Sequence, residues 1–333
     1  MVRELVVLGS ASQVPTRTRN HNGYFLRWDD EGVLFDPGEG TQRQMLLAGV
    51  PASAVTRICI THFHGDHCLG LPGVLQRMSL DGVTRPVAVT FPVSGEKYVD
   101  RMRHASEFDD RLEVRLQPVE AVAPDGRLVT VEETQSWTLR AAALRHPVDA
   151  IGWRVEERPG RAMLPERLAA AGISGPDVGR LQREGAVTAG GRRVTLDEMS
   201  VERPGQVVAF VMDTAWCDGA LTLADGADLL VCEATFASTE AGLAAARGHL
   251  TASDAGRLAA ESGARRLLLA HFSQRYRDVL PLVEEAAAEF AGDVIAAADL
   301  LRVAVPPRRE SRDGTGQRAG PNGGRPRLGG REM

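Results

Sequence analysis

The sequence predicts an α/β fold in which two sheets pack face to face and helices cover them outside, and three observations carry that expectation. Strand-like and helix-like segments interleave in both halves of the chain, the pattern of layered architectures. With 333 residues, 43% of them hydrophobic, the chain can bury a substantial core. The run His62-Phe63-His64-Gly65-Asp66-His67 then places three imidazoles and a carboxylate directly behind an apolar strand.

Short apolar runs bounded by turn residues predict strands at 4–9, 23–28, 32–35, 57–60, 87–91, 112–116, 137–144 and 150–155, and then at 207–212, 228–232, 266–269 and 294–297. Arg57-Ile58-Cys59-Ile60 reads as a buried strand that delivers the histidine run to a loop at its carboxyl end. Apolar residues recurring at three and four predict helices at 39–48, 70–79, 95–104, 253–262 and 276–290. Residues 156–205 break the pattern with eight glycines, four prolines and scattered charge. They read as an arm inserted in a core domain of residues 1–305, with short helices near 164–171 and 177–184. The tail 306–333 is Gly, Pro and Arg with almost nothing apolar, so it is expected to be disordered.

Net charge is −5, which argues against general nucleic-acid adhesion. From Pro306 onward seven arginines face three acids, so a tail of +4 follows a body of −9. Lys97 is the single lysine beside 38 arginines, a bias that makes arginine abundance weak evidence for RNA. Cys59, Cys68, Cys217 and Cys232 form no C-x-x-C pair, and a chain of this size needs no disulfide staples. No run approaches the ~20 apolar residues that span a membrane, and the apolar start is too short for a signal sequence, so the expected location is cytoplasmic.

Neutral imidazole nitrogen suits zinc, and a carboxylate beside it can complete the site, so the run at His62 points to one or two divalent ions. A two-metal site needs donors from more than one loop. Three isolated candidates follow strands farther on: His146 after Leu139 to Leu144, Asp213 after Val207 to Met212, and His271 after Leu267 to Ala270. Strand ends in layered sheets converge on one rim, which gives the three a common destination. His21 and His104 have no matching role and are read as structural.

These motifs resemble the metallo-β-lactamase superfamily, a four-layer αββα sandwich, and within it the ribonuclease Z family that trims the 3′ end of precursor tRNA. The resemblance runs from Leu5 to about Val305. Beyond the H-x-H-G-D-H run, it rests on Gly9-Ser10-Ala11-Ser12 with Val14-Pro15-Thr16 and Arg19-Asn20, and on Phe35-Asp36-Pro37-Gly38-Glu39-Gly40-Thr41-Gln42, where Pro37 replaces the usual Cys. It rests also on Cys232-Glu233-Ala234-Thr235-Phe236 with Gly248-His249-Leu250-Thr251, and on Ala170-Ala171-Gly172-Ile173-Ser174-Gly175-Pro176 in the arm.

The resemblance implies two zinc ions per subunit, with manganese as an alternative. His62, His64 and His146 would hold one, Asp66, His67 and His271 the other, and Asp213 would bridge them, with Asp36 orienting a ligand histidine. Two such ions can lower the pKa of a shared water and neutralise phosphoryl oxygens, so phosphodiester hydrolysis is expected. Asp66 is then the candidate general base, His249 the candidate general acid, and Glu233 the group that holds the His249 tautomer. Thr251, Ser273, Arg275 and the Thr16–Asn20 loop are candidate phosphate contacts. Gly175, Pro176 and the arginines at 161, 167, 180, 183, 192 and 193 would engage RNA, and the arm implies a homodimer that clamps precursor tRNA. The competing expectation is a superfamily hydrolase of small phosphodiesters, thioesters or lactones with the same metal centre.

Overall fold

The computed structural model describes residues 3–120 and 125–309, so the expected disorder of the tail from residue 310 onward lies outside the described residues. The chain divides into two compact units, one of residues 1–157 and 206–307, the other built on Arg158–Gly205.

Two seven-stranded sheets form the larger unit. In the first, the strands lie in the order Arg302–Ala304, Glu4–Gly9, Gly23–Trp28, Glu31–Phe35, Arg57–Cys59, Val87–Pro92 and Val114–Val119. Neighbours are antiparallel as far as Glu31–Phe35 and parallel beyond it. The second has the order Asp293–Ala296, Arg266–Ala270, Leu229–Glu233, Val207–Val211, Ala150–Glu157, Trp137–Leu144 and Val129–Glu133. Here the first four strands are parallel and the rest antiparallel. Parallel strands need cover on both faces, which is why they read as unbroken apolar runs in the sequence.

Alternation along Glu4–Gly9 sends Leu5 and Val7 into one core and Val6 and Leu8 into another. The first core fills the space between the sheets, where Phe210 stacks on Phe35 at 4.7 Å and meets Tyr24 edge-on at 5.1 Å between centroids. The second lies beneath the helices Thr41–Leu47, Leu71–Leu80 and Glu96–Arg103. On the far side, Asp218–Ala224, Ala252–Glu261 and Leu280–Glu289 cover the second sheet with Leu223, Leu258 and Leu282. The layers are therefore helix, sheet, sheet, helix.

Several boundaries differ from expectation for local reasons. The helix expected from 276 begins at Leu280, because Pro281 belongs in a first turn, where its missing N–H costs nothing. The strand expected at 112–116 runs over Val114–Val119 instead, carried by pairing with Val87–Pro92 rather than by its own apolar pattern. Asp218–Ala224 and Ala241–Arg247 are short helices without a clean apolar stripe, and Val129–Glu133 is a half-exposed edge strand. None of these three has a strong signal in sequence.

The smaller unit has a core of its own, made by Leu168, Ile173, Leu181, Val187, Val194 and Met199. The helices Pro165–Ala170 and Pro176–Glu184 lie where they are expected. Two strand pairs join them: Gly160–Met163 with Ser200–Arg203, and the hairpin Ala186–Ala189 with Arg192–Thr195. Gly190 and Gly191, both at positive φ, make the hairpin turn, a signal that was legible in the dipeptide itself.

Candidate active site

The strand ends of both sheets deliver the site. Asp36 follows Glu31–Phe35, the histidine run follows Arg57–Cys59, Asp213 follows Val207–Val211, Glu233 closes Leu229–Glu233, and His271 follows Arg266–Ala270. Asp36, Asp213 and His271 share positive φ angles of 45°, 47° and 57°. Such backbone is uncommon outside glycine but is best tolerated by Asp, Asn and His.

The seven expected donors come together in two groups that meet at Asp213. His62, His64, His146 and Asp213 form one, and Asp66, His67 and His271 the other. His62 Nε2 lies 3.0 Å from His64 Nδ1, His64 Nδ1 lies 3.3 Å from His146 Nε2, and His67 Nε2 lies 3.2 Å from His271 Nε2. The opposite nitrogens are already used: His146 Nδ1 donates to the Gly248 carbonyl, His67 Nδ1 to Asp36, and His271 Nδ1 to the Thr235 hydroxyl. His146 Nε2, His67 Nε2 and His271 Nε2 therefore turn lone pairs towards the two groups. Asp213 Oδ1 is buried with no hydrogen-bond partner among the described residues, 3.3 Å from His271 Nε2 and 3.5 Å from His67 Nε2. Divalent metal would satisfy all of these groups at once, so the residues fit a divalent-metal centre.

Electrostatics agree. Burial, reinforced by neighbouring histidines, keeps His62 and His64 below the ordinary imidazole range, and burial does the same for His146. Neutral donors are what metal binding requires. Burial also opposes charge on His67, yet Asp213, Asp66 and Asp36 outweigh it and raise its pKa well above the ordinary value. Three carboxylates thus draw positive charge into the site. The Asp66 carboxyl is held well below the usual range, because His67 and His271 overcome the effect of burial. Asp36 accepts from Thr61 N at 2.7 Å, from Thr61 Oγ1 at 2.8 Å and from His67 Nδ1 at 2.8 Å.

His249 and Glu233 stand beside this cluster. His249 Nδ1 donates to Glu233 Oε2 at 2.9 Å, and a His249 nitrogen groups with Asp213 and His271 within 4.8 Å. Burial disfavours the imidazolium, but the Glu233 carboxylate and its hydrogen bond prevail and push the His249 pKa up to about 9. A cleft of about 900 Å³ opens over both features, lined by Gln13, His64, Asp66, His146, His249 and His271, with Ser273, Arg275 and Arg247 also on its wall.

A model of the metallo-β-lactamase superfamily matches residues 16–216. Ribonuclease Z of Salinispora arenicola (strain CNS-205) is 57% identical over 92% of this chain and 97% of its own length. The chain belongs to the ribonuclease Z family. Ribonuclease Z of Thermobifida fusca (strain YX) is 54% identical over 94% of this chain and 98% of its own. Among solved structures, the short form of human tRNase Z is similar at 25% identity and a TM-score of 0.68, covering 91% of this chain and 99% of the human one. Family membership and the His and Asp donor set together imply a divalent metal at the centre described above.

For this ribonuclease Z chain the expected substrate contacts divide. Ser273 and Arg275 line the cleft, with Arg275 ion-paired to Glu240 and lying over the Phe236 ring at 5.1 Å. Thr251 does not line it: its hydroxyl donates to Asp254 Oδ2 and accepts from Asp254 N in a capping box for Ala252–Glu261. Helix capping has claimed the oxygen that was expected at phosphate. Within the Thr16–Asn20 loop, Arg19 is bound to the carbonyls of Tyr276 and Arg277. Gly175 and Pro176 lie in the smaller unit, where Gly175, at positive φ, precedes the helix Pro176–Glu184.

Of the arm's arginines, Arg161, Arg180 and Arg192 form ion pairs with Asp197, Asp177 and Glu198, and Arg167 donates to the Glu198 carbonyl. The side chains of Arg183 and Arg193 form no ion pair or hydrogen bond among the described residues. His21, read as structural, lines the cleft, whereas His104 is exposed and bonded to Asp100 at the end of its own helix. Asn22 and Arg247 received no role from the sequence, and Thr235 only a place in the motif Cys232-Glu233-Ala234-Thr235-Phe236. Asn22 Nδ2 lies 3.4 Å from Asp36 and 3.1 Å from His67 Nδ1, and nothing in an Asn-Gly dipeptide announces that contact.

Proposed function

We propose that the chain is a zinc-dependent endoribonuclease that removes the 3′ trailer of precursor tRNA and leaves a 3′-hydroxyl on the tRNA. The observation that carries the proposal is the Glu233–His249 pair standing 2.9 Å apart beside a seven-donor cluster, in a chain 57% identical to a ribonuclease Z. His62, His64 and His146 would hold one zinc and Asp66, His67 and His271 a second, with Asp213 shared and manganese an alternative occupant. When bound, the ions lower the pKa of a shared water and neutralise the phosphoryl oxygens.

The protein's own groups do the rest. Asp66, pinned by the Gln13 N–H at 2.7 Å, holds metal and takes the proton of the attacking water. His249, oriented through Nδ1, protonates the leaving 3′ oxygen from Nε2, and Glu233 fixes the tautomer that makes this possible. Ser273, Arg275 and Arg247 lie along the cleft wall where a phosphate backbone would run. The 158–205 unit is the proposed tRNA-binding arm, supported by Arg183 and Arg193 and by its own core.

A homodimer is supported by Leu46, Leu47 and Leu80, which are 72%, 50% and 81% exposed, and by an apolar groove of about 640 Å³ between Met45, Val50 and Val74. No helix among the described residues is long and apolar enough to cross a membrane, and the proposal assigns the reaction to the cytoplasm, where precursor tRNA is available.

Incubation of the purified protein with zinc and a 3′-extended tRNA precursor, followed by sizing of the products, is expected to show one cut at the 3′ end of the tRNA. Hydrolysis of a small phosphodiester without any cut in the precursor would favour a small-substrate hydrolase instead.

A further inference from the structure

Thr235 lies two residues beyond the strand Leu229–Glu233 and is 2% exposed. Its hydroxyl oxygen is 2.9 Å from His271 Nδ1, 2.6 Å from Glu233 Oε2 and 3.0 Å from the His271 carbonyl. The direction of these bonds follows from the metal cluster. His271 Nε2 faces Asp66, His67 and Asp213, so Nε2 must carry the lone pair for a cation and Nδ1 must carry the proton. Thr235 therefore accepts from His271, and its single proton goes to the charged and nearer Glu233 oxygen.

That oxygen is also the acceptor for His249 Nδ1, at 2.9 Å, while Glu233 Oε1 is held by the Thr214 N–H at 2.5 Å. One carboxylate oxygen thus receives both His249 and, through one hydroxyl, His271. The motif Cys232-Glu233-Ala234-Thr235-Phe236 contains this residue without giving it a role.

We infer that Thr235 is a positioning residue that couples the metal centre to the proton donor, its hydroxyl fixing the His271 tautomer and bracing the Glu233 oxygen that orients His249. The inference rests on the metal sites and the His249 role proposed above. Without the hydroxyl, the His271 Nδ1–H is buried without an acceptor, or the ring turns and offers its protonated nitrogen to the metal. Either outcome weakens zinc binding. Glu233 Oε2 also loses one of its two donors, so the His249 ring loses part of its bracing even when metal is saturating.

The test compares full-length wild type with Thr235→Val, which preserves side-chain shape, and Thr235→Ser, which restores the hydroxyl. Zinc affinity is read by competition with a chromogenic chelator, and kcat and KM are measured at saturating zinc on a 3′-extended tRNA precursor. Thr235→Val is expected to bind zinc about 10–100-fold more weakly, the range found when partners of metal ligands are removed. At saturating zinc its kcat is expected to fall while KM stays near wild type, and Thr235→Ser is expected to recover both affinity and kcat. In a Glu233→Gln background, Thr235→Val should lower kcat by a smaller factor than in wild type, since both changes act through one oxygen.

Should Thr235→Val prove unstable, Thr235→Ala removes the same acceptor without crowding and carries the comparison. If wild type binds zinc and cuts the precursor while the hydroxyl-free variant matches it within threefold in both affinity and kcat, the coupling role alone is wrong. Failure of a stably folded Thr235→Ser to recover either property also overturns it, because the methyl and not the hydroxyl would then matter. A wild type that binds no zinc removes the metal-centre reading and this inference together.

Discussion

His249 sits where burial opposes its charge and Glu233 overrides the opposition, so its pKa is pushed up to about 9 against an ordinary imidazole value near 6.5. The imidazolium therefore persists through neutral pH and is lost as pH rises through about 9. A proton donor must start protonated, so kcat is expected to be level in the neutral range and to fall above about pH 9. Glu233→Gln removes the main cause of the upward shift and should move that alkaline limb to lower pH; a rate profile with an unmoved limb would separate Glu233 from His249. His249→Ala should cost about 10²–10⁴-fold in kcat with little change in Tm, and a loss within threefold would exclude the donor role. At this scale the donor set was legible because imidazole and carboxylate are uncommon choices behind a buried strand. Thr235 was not, because a hydroxyl has many ordinary uses.

At the level of elements, the ligand loop is held by close backbone approach as well as by hydrogen bonds. A Cβ on Gly38 would stand 2.1 Å from the Asp66 carbonyl oxygen, and one on Gly70 would stand 2.0 Å from the Gly38 carbonyl. The Phe35–Gln42 motif, the histidine run and the start of the helix Leu71–Leu80 therefore touch through positions where only hydrogen fits. Gly38→Ala is expected to displace the Asp66 segment, to cost about 1–3 kcal/mol by overpacking, and to weaken zinc binding together with Tm. Calorimetry and chelator competition measure the two effects, and wild-type zinc affinity in a destabilised variant would show that the loop moves independently of its support. The Thr251 capping box belongs to the same scale: Asp254, three residues on, takes the hydroxyl that was expected at phosphate. Long apolar strands were placed well by sequence, whereas Val129–Glu133 and Ala241–Arg247 were missed because packing rather than periodicity defines them.

For the whole molecule, the chain leaves the core at Glu157 and returns at Gln206, and those two ends are hydrogen-bonded to each other, Glu157 N to the Gln206 carbonyl at 2.9 Å. Their strands are antiparallel neighbours, with Glu156 opposite Val207. Replacing residues 158–205 by an Asn-Gly turn should therefore leave the sandwich intact, since such a turn suits a tight antiparallel hairpin. Hydrolysis of bis(p-nitrophenyl) phosphate is expected to survive in that variant while binding of precursor tRNA is lost; equal loss of both would make the unit part of the catalytic core. Leu46→Glu, at a 72% exposed position, is expected to convert the proposed dimer to a monomer in analytical ultracentrifugation, and an unchanged sedimentation coefficient would place any interface elsewhere.

The sequence by itself determined the class of layered fold and the kind of chemistry, because hydrophobic period and donor type are local properties written residue by residue. It also supplied the strand-end positions of His146, Asp213 and His271, but not the distances among them. Tertiary structure alone decided that His67 and His271, 204 positions apart, place their ring nitrogens 3.2 Å from one another, and that Asp213 leaves a buried oxygen with no hydrogen-bond partner among the described residues. It also decided that the Thr235 hydroxyl bridges Glu233 to His271. Hydrogen-bond direction and burial arise only when segments distant in sequence meet, so no local pattern could have carried them.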